Sequence, residues 1–326
     1  MLQDIALILA GFVLLFAGGE GLVRGAVAVA EKLGLSKLLI GLTVVAFGTS
    51  TPELIVSVNA ALSGAPDIAL GNVVGSNIAN VLLIMGVAAM IATVGDWQRT
   101  AMRDALVMCF AAMALYGLTH GEVIGRLEGI ALVAMLATYL IASYWLESRD
   151  RSAKQHVHET EAFETPAALQ SSWIAAGFVI GGILALMLGA DVLVRGAVSI
   201  ARTFGVSDAV IGLTLVAIGT SLPELATSIV AAWRRHSDVV LGNVIGSNIF
   251  NVLAILGITA IVSPVPVSAQ FRSFDTPVML GVSVLVVILL AVTQRIGRLT
   301  GAAMLAVYIA YLAWQFASGS VGTAGL

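Results

Sequence analysis

The sequence has little charge and few of the residues that soluble proteins and metalloenzymes rely on. Of its 326 residues only 11% are charged and 59% are hydrophobic, whereas soluble domains carry about 25% charged residues. Its single cysteine, Cys109, lies in an apolar segment and cannot form an internal disulfide. Its four histidines form no nucleophile–base pair and no His-Glu-x-x-His motif. We therefore expect an integral membrane protein that is not an enzyme and needs no cofactor.

Long apolar segments fill most of the chain. The first follows Met1–Asp4, which lacks the basic region of a signal peptide, so it is predicted to be a membrane span. A bilayer core of about 30 Å is crossed by roughly 20 apolar residues in a helix. The predicted spans are 5–30, 37–62, 68–93, 101–118, 123–146, 173–201, 208–233, 239–262, 274–293 and 298–317. The polar segment 148–171 is predicted to be a cytoplasmic linker between a first five-helix repeat, 1–147, and a second, 172–326.

The two halves carry the same polar motifs, 171 residues apart. Residues 41–53 end in Gly-Thr-Ser-Thr-Pro-Glu, and residues 212–224 end in Gly-Thr-Ser-Leu-Pro-Glu. Residues 71–80 and 242–251 both contain Gly-Asn-x-x-Gly-Ser-Asn-x-x-Asn. Because each unit holds an odd number of spans, the second unit crosses the membrane in the opposite direction. The predicted fold is an all-α membrane protein of ten transmembrane helices in two inverted five-helix repeats, a pattern typical of transporters with a site near the bilayer midplane.

Lysine and arginine placement predicts the orientation. With the N-terminus outside, the inside loops hold eleven of the sixteen basic residues and the outside loops hold three. The other two, Arg24 and Arg195, lie within spans, each four residues after an acid, Glu20 or Asp191. These repeated pairs are interpreted either as local ion pairs or as a charged lip at an ion entrance. The predicted topology is N-out and C-out.

The first polar motif predicts a broken helix inside the membrane. Pro52 lacks an N–H and its ring clashes one turn back, so the Gly48 carbonyl loses its helical partner. Thr49 and Ser50 are placed to cap the helix that restarts. Unpaired carbonyls and hydroxyls within a bilayer are unfavourable unless something such as a dehydrated cation satisfies them. Glu53 adds formal charge one turn further along, and a buried acid of this kind is a functional signal.

The second motif adds a polar stripe with small residues beside it. Asn72, Ser76 and Asn80 are four residues apart and share a helix face, as their counterparts do in the second half. Glycines at the same spacing let helices approach closely. The side chains offer only oxygen ligands, which suit hard cations such as calcium. Two ionised glutamates are neutralised by one calcium ion, two sodium ions or two protons, which favours an exchanger over a channel.

These paired motifs resemble the alpha repeats of the calcium/cation antiporter superfamily, and most of all its prokaryotic sodium/calcium exchanger branch. The resemblance covers nearly the whole chain. It implies that spans one and six slide across a fixed core and that sodium and calcium compete for overlapping sites. It also implies a ligand set, which consists of the backbone carbonyls of Ala46 and Ala217 and the side chains of Thr49, Ser50, Glu53, Ser76, Asn80, Thr220, Ser221, Glu224, Ser247 and Asn251.

Two features of the motifs bear on which ion is exchanged for calcium. Some members of the branch have Asp at the position of Asn251, which leaves the stoichiometry and the role of protons open. The proton-coupled branch typically has Glu-His after the Gly-Asn pair, where this chain has Val-Gly-Ser-Asn from residue 74. The predicted function is a secondary antiporter exchanging calcium for sodium by alternating access, with a calcium/proton antiporter as the alternative.

The same reasoning predicts where the protein works and what it meets. The expected location is a bacterial cytoplasmic (inner) membrane, as a multi-pass protein. The expected partners are the lipid bilayer and the calcium and sodium ions. The net charge of −3 gives no sign of a nucleic-acid partner. The short loops hold no regulatory calcium-binding domain, and no obligatory protein partner is expected.

Overall fold

The computed structural model describes residues 1–95, 99–154, 171–204, 217–293 and 295–317. Residues 212–216, which open the second copy of the first motif, lie outside the described residues, as does most of the predicted linker. The described chain is almost entirely helical, with four two-residue strands.

The first half contains eight helices and two strands. The helices are α1 (Leu2–Leu33), α2 (Lys37–Ile40), α3 (Ala46–Thr49), α4 (Thr51–Leu62), α5 (Pro66–Ala79), α6 (Met85–Ile91), α7 (Arg99–Leu118) and α8 (Arg126–Lys154). A π-helical turn, Gly41–Val45, joins α2 to α3, and another, Asn80–Ile84, joins α5 to α6. The strands are β1 (Val94–Gly95) and β2 (Val123–Ile124).

The second half repeats this order wherever it is described. Its helices are α9 (Ser172–Thr203), α10 (Ala217–Thr220), α11 (Leu222–Trp233), α12 (Ser237–Phe250), α13 (Gly257–Val262), α14 (Thr276–Val292) and α15 (Arg298–Ala317). The π-helical turn Asn251–Leu256 joins α12 to α13, and Phe271–Asp275 precedes α14. The strands are β3 (Val265–Pro266) and β4 (Arg295–Ile296).

Helices occupy the predicted apolar segments wherever the structure describes them. By length and composition, seven helical segments of the described chain can cross a membrane, or up to eight if the bent pair Lys37–Thr49 and Thr51–Leu62 counts as one span. Several helices are longer than their predicted spans, α1, α7, α8 and α9 among them. The helix α8 continues to Lys154, so the first residues of the predicted linker 148–171 are helical.

The helices α1 and α9 pack along each other through glycines seven residues apart. On α1 these are Gly11, Gly18 and Gly25, and on α9 they are the repeat counterparts Gly182, Gly189 and Gly196. A methyl group added at any of the six would lie 3.0 Å or less from backbone atoms of the opposite helix. Small residues at a helix crossing permit this backbone approach.

The centre of the molecule is formed by the continuous helices α5–α6 and α12–α13. Their apolar side chains, among them Leu70, Ile78, Ile245 and Leu253, are almost fully buried. The helix α12 also crosses α2 and the following turn closely, because methyl groups at Gly242 and Gly246 would lie 2.6 Å from the Leu38 carbonyl oxygen and 2.7 Å from that of Leu42. The close approach predicted for this glycine pair is therefore observed.

Two antiparallel strand pairs join the halves at their ends. β1 pairs with β4, with Val94 opposite Ile296, and β2 pairs with β3, with Ile124 opposite Val265. Each pair links one half to the other, so the halves form a single body around the central helices.

Candidate functional site

The first helix break lies at Ser50. Ser50 has φ −87° and ψ 7°, which interrupts the helix between α3 and α4, and Pro52 lies in the first turn of α4. The two parts are bent by 45°. Ser221 has nearly the same conformation, with φ −87° and ψ 4°, and Pro223 lies in the first turn of α11. Both predicted breaks are observed. Proline is tolerated in the first turn of a helix but not in its interior, so a new helix begins directly before each of the two prolines.

The hydroxyl groups at the breaks do not cap the restarting helices, so the prediction that they do is wrong. Neither Ser50 nor Ser221 makes a side-chain hydrogen bond to its own helix terminus. The Ser50 hydroxyl donates to Oε1 of Glu224 over 2.8 Å. The Ser221 hydroxyl lies 3.4 Å from Oε1 of Glu53. Each serine therefore contacts the acid of the other half, where its hydroxyl has a carboxylate acceptor for its proton.

The two glutamates lie in the interior and not against lipid. Their side chains are almost wholly buried, with relative exposures of 1% for Glu53 and 2% for Glu224. The second carboxylate oxygen, Oε2, of each has no hydrogen-bond partner among the described residues. Two carboxylates held in this way leave acceptor capacity for a positively charged ligand.

Threonine and asparagine complete the frame on each side. The Thr49 hydroxyl lies 3.3 Å from Oδ1 of Asn243. The amide nitrogen of Asn243 donates to the backbone carbonyl of Glu224 over 3.2 Å and to Ser228 over 2.9 Å. These contacts fix the backbone of the glutamate from the neighbouring helix.

The other half makes the same contacts. Thr220 lies 3.4 Å from Oδ1 of Asn72, whose amide nitrogen donates to the Glu53 carbonyl over 3.1 Å and to Ser57 over 2.9 Å. Asn72 was recognised in the sequence as part of the polar stripe but not as a support for Glu53. The signal that identifies it is the pairing of Asn72 and Ser57 with Asn243 and Ser228, 171 residues later.

The remaining predicted ligand residues lie on the central helices. Ser76 is 3.4 Å from Ser221, oxygen to oxygen. Ser247 is fully buried, and its hydroxyl has no hydrogen-bond partner in the described part of the chain. Asn80 and Asn251 begin the two π-helical turns that continue α5 and α12. Such turns interrupt regular helical hydrogen bonding and occur frequently at functional sites.

The two alanines predicted to contribute carbonyls are placed at the start of short helices. Ala46 begins α3 and is fully buried, and its carbonyl accepts from the Ser50 N–H over 3.0 Å. The Thr49 hydroxyl also lies 3.3 Å from this carbonyl oxygen. Ala217 begins α10 directly after the undescribed residues 205–216.

The site combines two buried carboxyl groups with oxygens that the protein does not satisfy. Five oxygens of predicted ligand residues are buried without a partner in the described structure: Oε2 of Glu53 and Glu224, Oγ of Ser247, and Oδ1 of Asn80 and Asn251. Buried polar atoms are nearly always paired, so a cluster of orphaned acceptors calls for a ligand. The described residues contain no group of three or more His, Cys, Asp or Glu that could hold a metal ion. Carboxylate, hydroxyl and amide oxygens are the donors that hard cations prefer.

The acid–arginine pairs are formed by residues outside the predicted ligand set. Arg24 pairs with Glu20 over 2.5 Å, and Arg195 pairs with Asp191 over 2.9 Å at an exposed position. Both predicted pairs form within their own helices. The sequence did not indicate a further partner: Arg234, at the end of α11, also pairs with Glu20. That bridge has no equivalent at the other pair, because the residue 171 positions before Arg234 is Ser63.

Comparisons with known proteins agree with the resemblance. The profile of the family described as sodium/calcium exchanger protein matches residues 4–145 and 174–317. The chain is 35% identical to the putative antiporter CaxA of Alkalimonas amylolytica, over 98% of this chain and all of that protein. It is 34% identical to the sodium/calcium exchanger MaX1 of Methanosarcina acetivorans, over 95% of this chain and 97% of that protein.

The fold agrees as well. A solved structure of the sodium-calcium exchanger NCX_Mj superimposes with a TM-score of 0.82 at 32% identity, covering 96% of this chain and 98% of that one. The family match leaves out only residues 146–173 and the two ends of the chain. The chain therefore belongs to the sodium/calcium exchanger family of membrane antiporters.

Proposed function

We propose that this protein exchanges calcium for sodium across the membrane at one oxygen-lined site between its two halves. The observation that carries this proposal is that five buried oxygens of the predicted ligand residues, two of them on Glu53 and Glu224, have no hydrogen-bond partner among the described residues. The proposed ligands are the carbonyls of Ala46 and Ala217 and the side chains of Thr49, Ser50, Glu53, Ser76, Asn80, Thr220, Ser221, Glu224, Ser247 and Asn251.

The hydrogen bonds between the halves are compatible with ion binding at the same atoms. A hydroxyl that donates its proton to a carboxylate keeps its lone pairs for a cation. Ser50 can therefore hold Glu224 and contribute to ion coordination at once, and Ser221 can do the same with Glu53. This coupling makes occupancy of the site depend on both halves together.

The charge of the ion site favours coupled exchange over uncoupled movement of a single ion species. Two ionised carboxylates give the unloaded site a charge of −2, which is unfavourable in the low-dielectric interior. One calcium ion or two sodium ions neutralise it. We infer that the protein changes its access readily with either load and poorly without one, which couples the two fluxes.

The proposed topology is ten membrane crossings in two inverted repeats, with both termini outside. Contacts between loops support it, because the strand pairs join loops assigned to the same side: β1 with β4 inside and β2 with β3 outside. Other loop contacts agree. Arg272 donates to the Thr119 carbonyl between two outside loops, and Ser237 donates to the Gly95 carbonyl between two inside loops. The proposed repeats are 1–147 and 172–326, joined by a cytoplasmic linker at 148–171, in a cytoplasmic membrane.

Transport in proteoliposomes tests the function. Vesicles are loaded with calcium, and sodium, potassium and pH gradients are then imposed one at a time. We expect calcium efflux with sodium, and we expect Glu53→Gln to reduce it more than about tenfold. The matched control is Glu122→Gln, which changes an exposed loop carboxylate and should leave the flux unchanged.

Three outcomes would contradict the proposal. Calcium flux driven by a pH gradient without sodium would establish the calcium/proton alternative. Normal exchange by Glu53→Gln would remove the proposed site. A conductance orders of magnitude above carrier turnover would show a channel.

A further inference from the structure

Four buried asparagines form a network between the two halves, beside the proposed ion site. They are Asn77 and Asn80 on the first central helix and Asn248 and Asn251 on the second, each at most 3% exposed. Only Asn80 and Asn251 belong to the proposed ligand set. Asn77 and Asn248 are equivalent positions, 171 residues apart, and the ion site does not use them.

The atoms around Asn248 fix which end of its amide points where. Its nitrogen lies 3.4 Å from the Asn77 backbone carbonyl and 3.4 Å from the Met108 sulfur. A carbonyl oxygen and a thioether sulfur can accept hydrogen bonds but cannot donate them. The amide nitrogen must therefore face these two atoms, which turns Oδ1 of Asn248 the other way.

That orientation determines the next amide in the network. Oδ1 of Asn248 accepts from the nitrogen of Asn80 over 3.0 Å. Because the Asn80 nitrogen is used there, its own oxygen is left over. That oxygen is buried and has no partner among the described residues.

Two of the three contacts of Asn248 recur at its counterpart Asn77. The Asn77 nitrogen lies 3.4 Å from the sulfur of Met279, the counterpart of Met108. Oδ1 of Asn77 accepts from the nitrogen of Asn251 over 3.1 Å. The oxygen of Asn251 is likewise buried without a partner in the part of the chain that the structure describes.

An amide has a donor end and an acceptor end, and only the acceptor end can bind a cation. We propose that Asn77 and Asn248 are positioning residues that hold Asn251 and Asn80 with their oxygens toward the transported ion. The proposal rests on the proposed function, since it needs Asn80 and Asn251 to be ligands. It adds an explanation of how an uncharged part of the site is oriented. Atoms that can only accept hydrogen bonds orient the amides of Asn77 and Asn248, and these in turn orient the oxygens of Asn251 and Asn80.

The network also crosses between the halves. Asn248 of the second half orients Asn80 of the first, and Asn77 of the first orients Asn251 of the second. Each half therefore shapes a ligand that the other half supplies. Removing one positioning residue should affect calcium binding through a single, identifiable ligand.

A double-mutant cycle tests this for Asn248. Asn248→Leu keeps the number and branching of the side-chain heavy atoms but leaves the Asn80 nitrogen without an acceptor when the oxygen faces the ion. We expect the apparent KM for calcium to rise about tenfold, equivalent to about 1.4 kcal/mol, while the maximal rate changes far less. In an Asn80→Ala background, Asn248→Leu should cause almost no further rise, because the ligand through which it acts is gone.

Two further variants separate positioning from packing. Met108→Leu replaces one peripheral acceptor with a side chain of similar volume and leaves the Asn77 carbonyl in place, so its KM should change less than about twofold. Asn80→Asp has two equivalent oxygens and no donor end, so Asn248→Leu in this background should be neutral or should lower KM. If Asn248→Leu alone does not fold, its effect is measured by comparing Asn80→Asp with the double variant Asn80→Asp, Asn248→Leu. Asn77→Leu and Asn251→Ala provide the equivalent cycle in the other half.

The outcomes distinguish the two proposals. If Asn80→Ala raises KM and Asn248→Leu adds a full independent increase, the positioning role is wrong while the ion site stands. If Asn80→Ala leaves KM unchanged while Glu53→Gln abolishes exchange, Asn80 is not a ligand and the positioning role fails with it. If Asn80→Ala and Glu53→Gln both leave exchange unchanged, the proposed function itself is wrong.

Discussion

The crossing of α1 and α9 offers a sharp test, because two adjacent glycines on α9 have opposite surroundings. A methyl group at Gly182 would lie 2.5 Å from the Leu22 nitrogen and 2.8 Å from the Gly18 carbonyl oxygen. A methyl group at Gly181 would meet no atom within 4 Å. The same substitution, Gly→Ala, therefore strains one position and leaves the next unstrained.

The size of the effect follows from the backbone contact. The methyl group of Gly182→Ala would be about 0.9 Å closer to Leu22 than the 3.4 Å at which ordinary contact begins, and backbone atoms cannot rotate away. Overpacking of this kind costs about 1–3 kcal/mol. Both variants gain the same intrinsic helix propensity of alanine over glycine, so the difference between them isolates the packing.

Thermal unfolding of the purified protein in detergent measures that difference. We expect the Tm of Gly182→Ala to lie about 2–6 °C below that of Gly181→Ala, taking about 2 °C per kcal/mol for a chain of this size. Gly18→Ala, on the opposite face of the crossing, should behave like Gly182→Ala. Equal Tm values for the two α9 variants would refute the reasoning and show that α1 and α9 separate without loss.

Three other predictions concern single contacts. Ser50→Ala and Ser221→Ala each remove one proposed ligand, but only Ser50 makes a short hydrogen bond to a carboxylate (2.8 Å against 3.4 Å). Ser50→Ala should therefore raise the calcium KM about tenfold more than Ser221→Ala does. Equal KM values for the two variants would contradict this. Arg234→Gln should lower stability by about 1 kcal/mol more than Arg235→Gln, since Glu20 pairs with Arg234 and Arg235 is exposed, and the difference should shrink in high salt. Burial, with nearby Lys37 and Arg234, lowers the pKa of His236 below 6.5. Because the unfolded chain then binds the proton more tightly, the folded state loses stability as the pH falls below about 6.5. In pH-dependent unfolding, His236→Gln should lose less stability over that range than the unchanged protein.

The sequence alone was sufficient for features that repeat or follow from local chemistry. The 171-residue repeat, the helix breaks at Pro52 and Pro223, and the burial of Glu53 and Glu224 could all be predicted. A proline inside an apolar helix breaks it wherever the helix lies, and an acid within such a helix must be shielded from lipid. The acid–arginine pairs four residues apart were also predictable, because helix geometry places them together.

Contacts between distant residues were not predictable, and these decide how the site is built. The Ser50 hydroxyl was expected at its own helix terminus, but it donates to Glu224, which is 174 residues away. Helix capping is a local rule, and the sequence does not show that a buried carboxylate from the other half lies within hydrogen-bond distance of this hydroxyl. The Glu20–Arg234 bridge was missed for the same reason, since it joins residues 214 positions apart.

The asparagine network shows the division most clearly. The sequence contains Asn77 and Asn248 inside the repeated motif, but spacing cannot show which end of an amide faces an ion. That is decided by acceptor-only neighbours, each 3.4 Å from an asparagine nitrogen: the Met108 sulfur on α7, the Met279 sulfur on α14 and the Asn77 carbonyl on α5. The sequence determined which polar groups are buried in the membrane, because each helix carries them locally; the tertiary structure determined which of their oxygens remain free, because each partner comes from another helix.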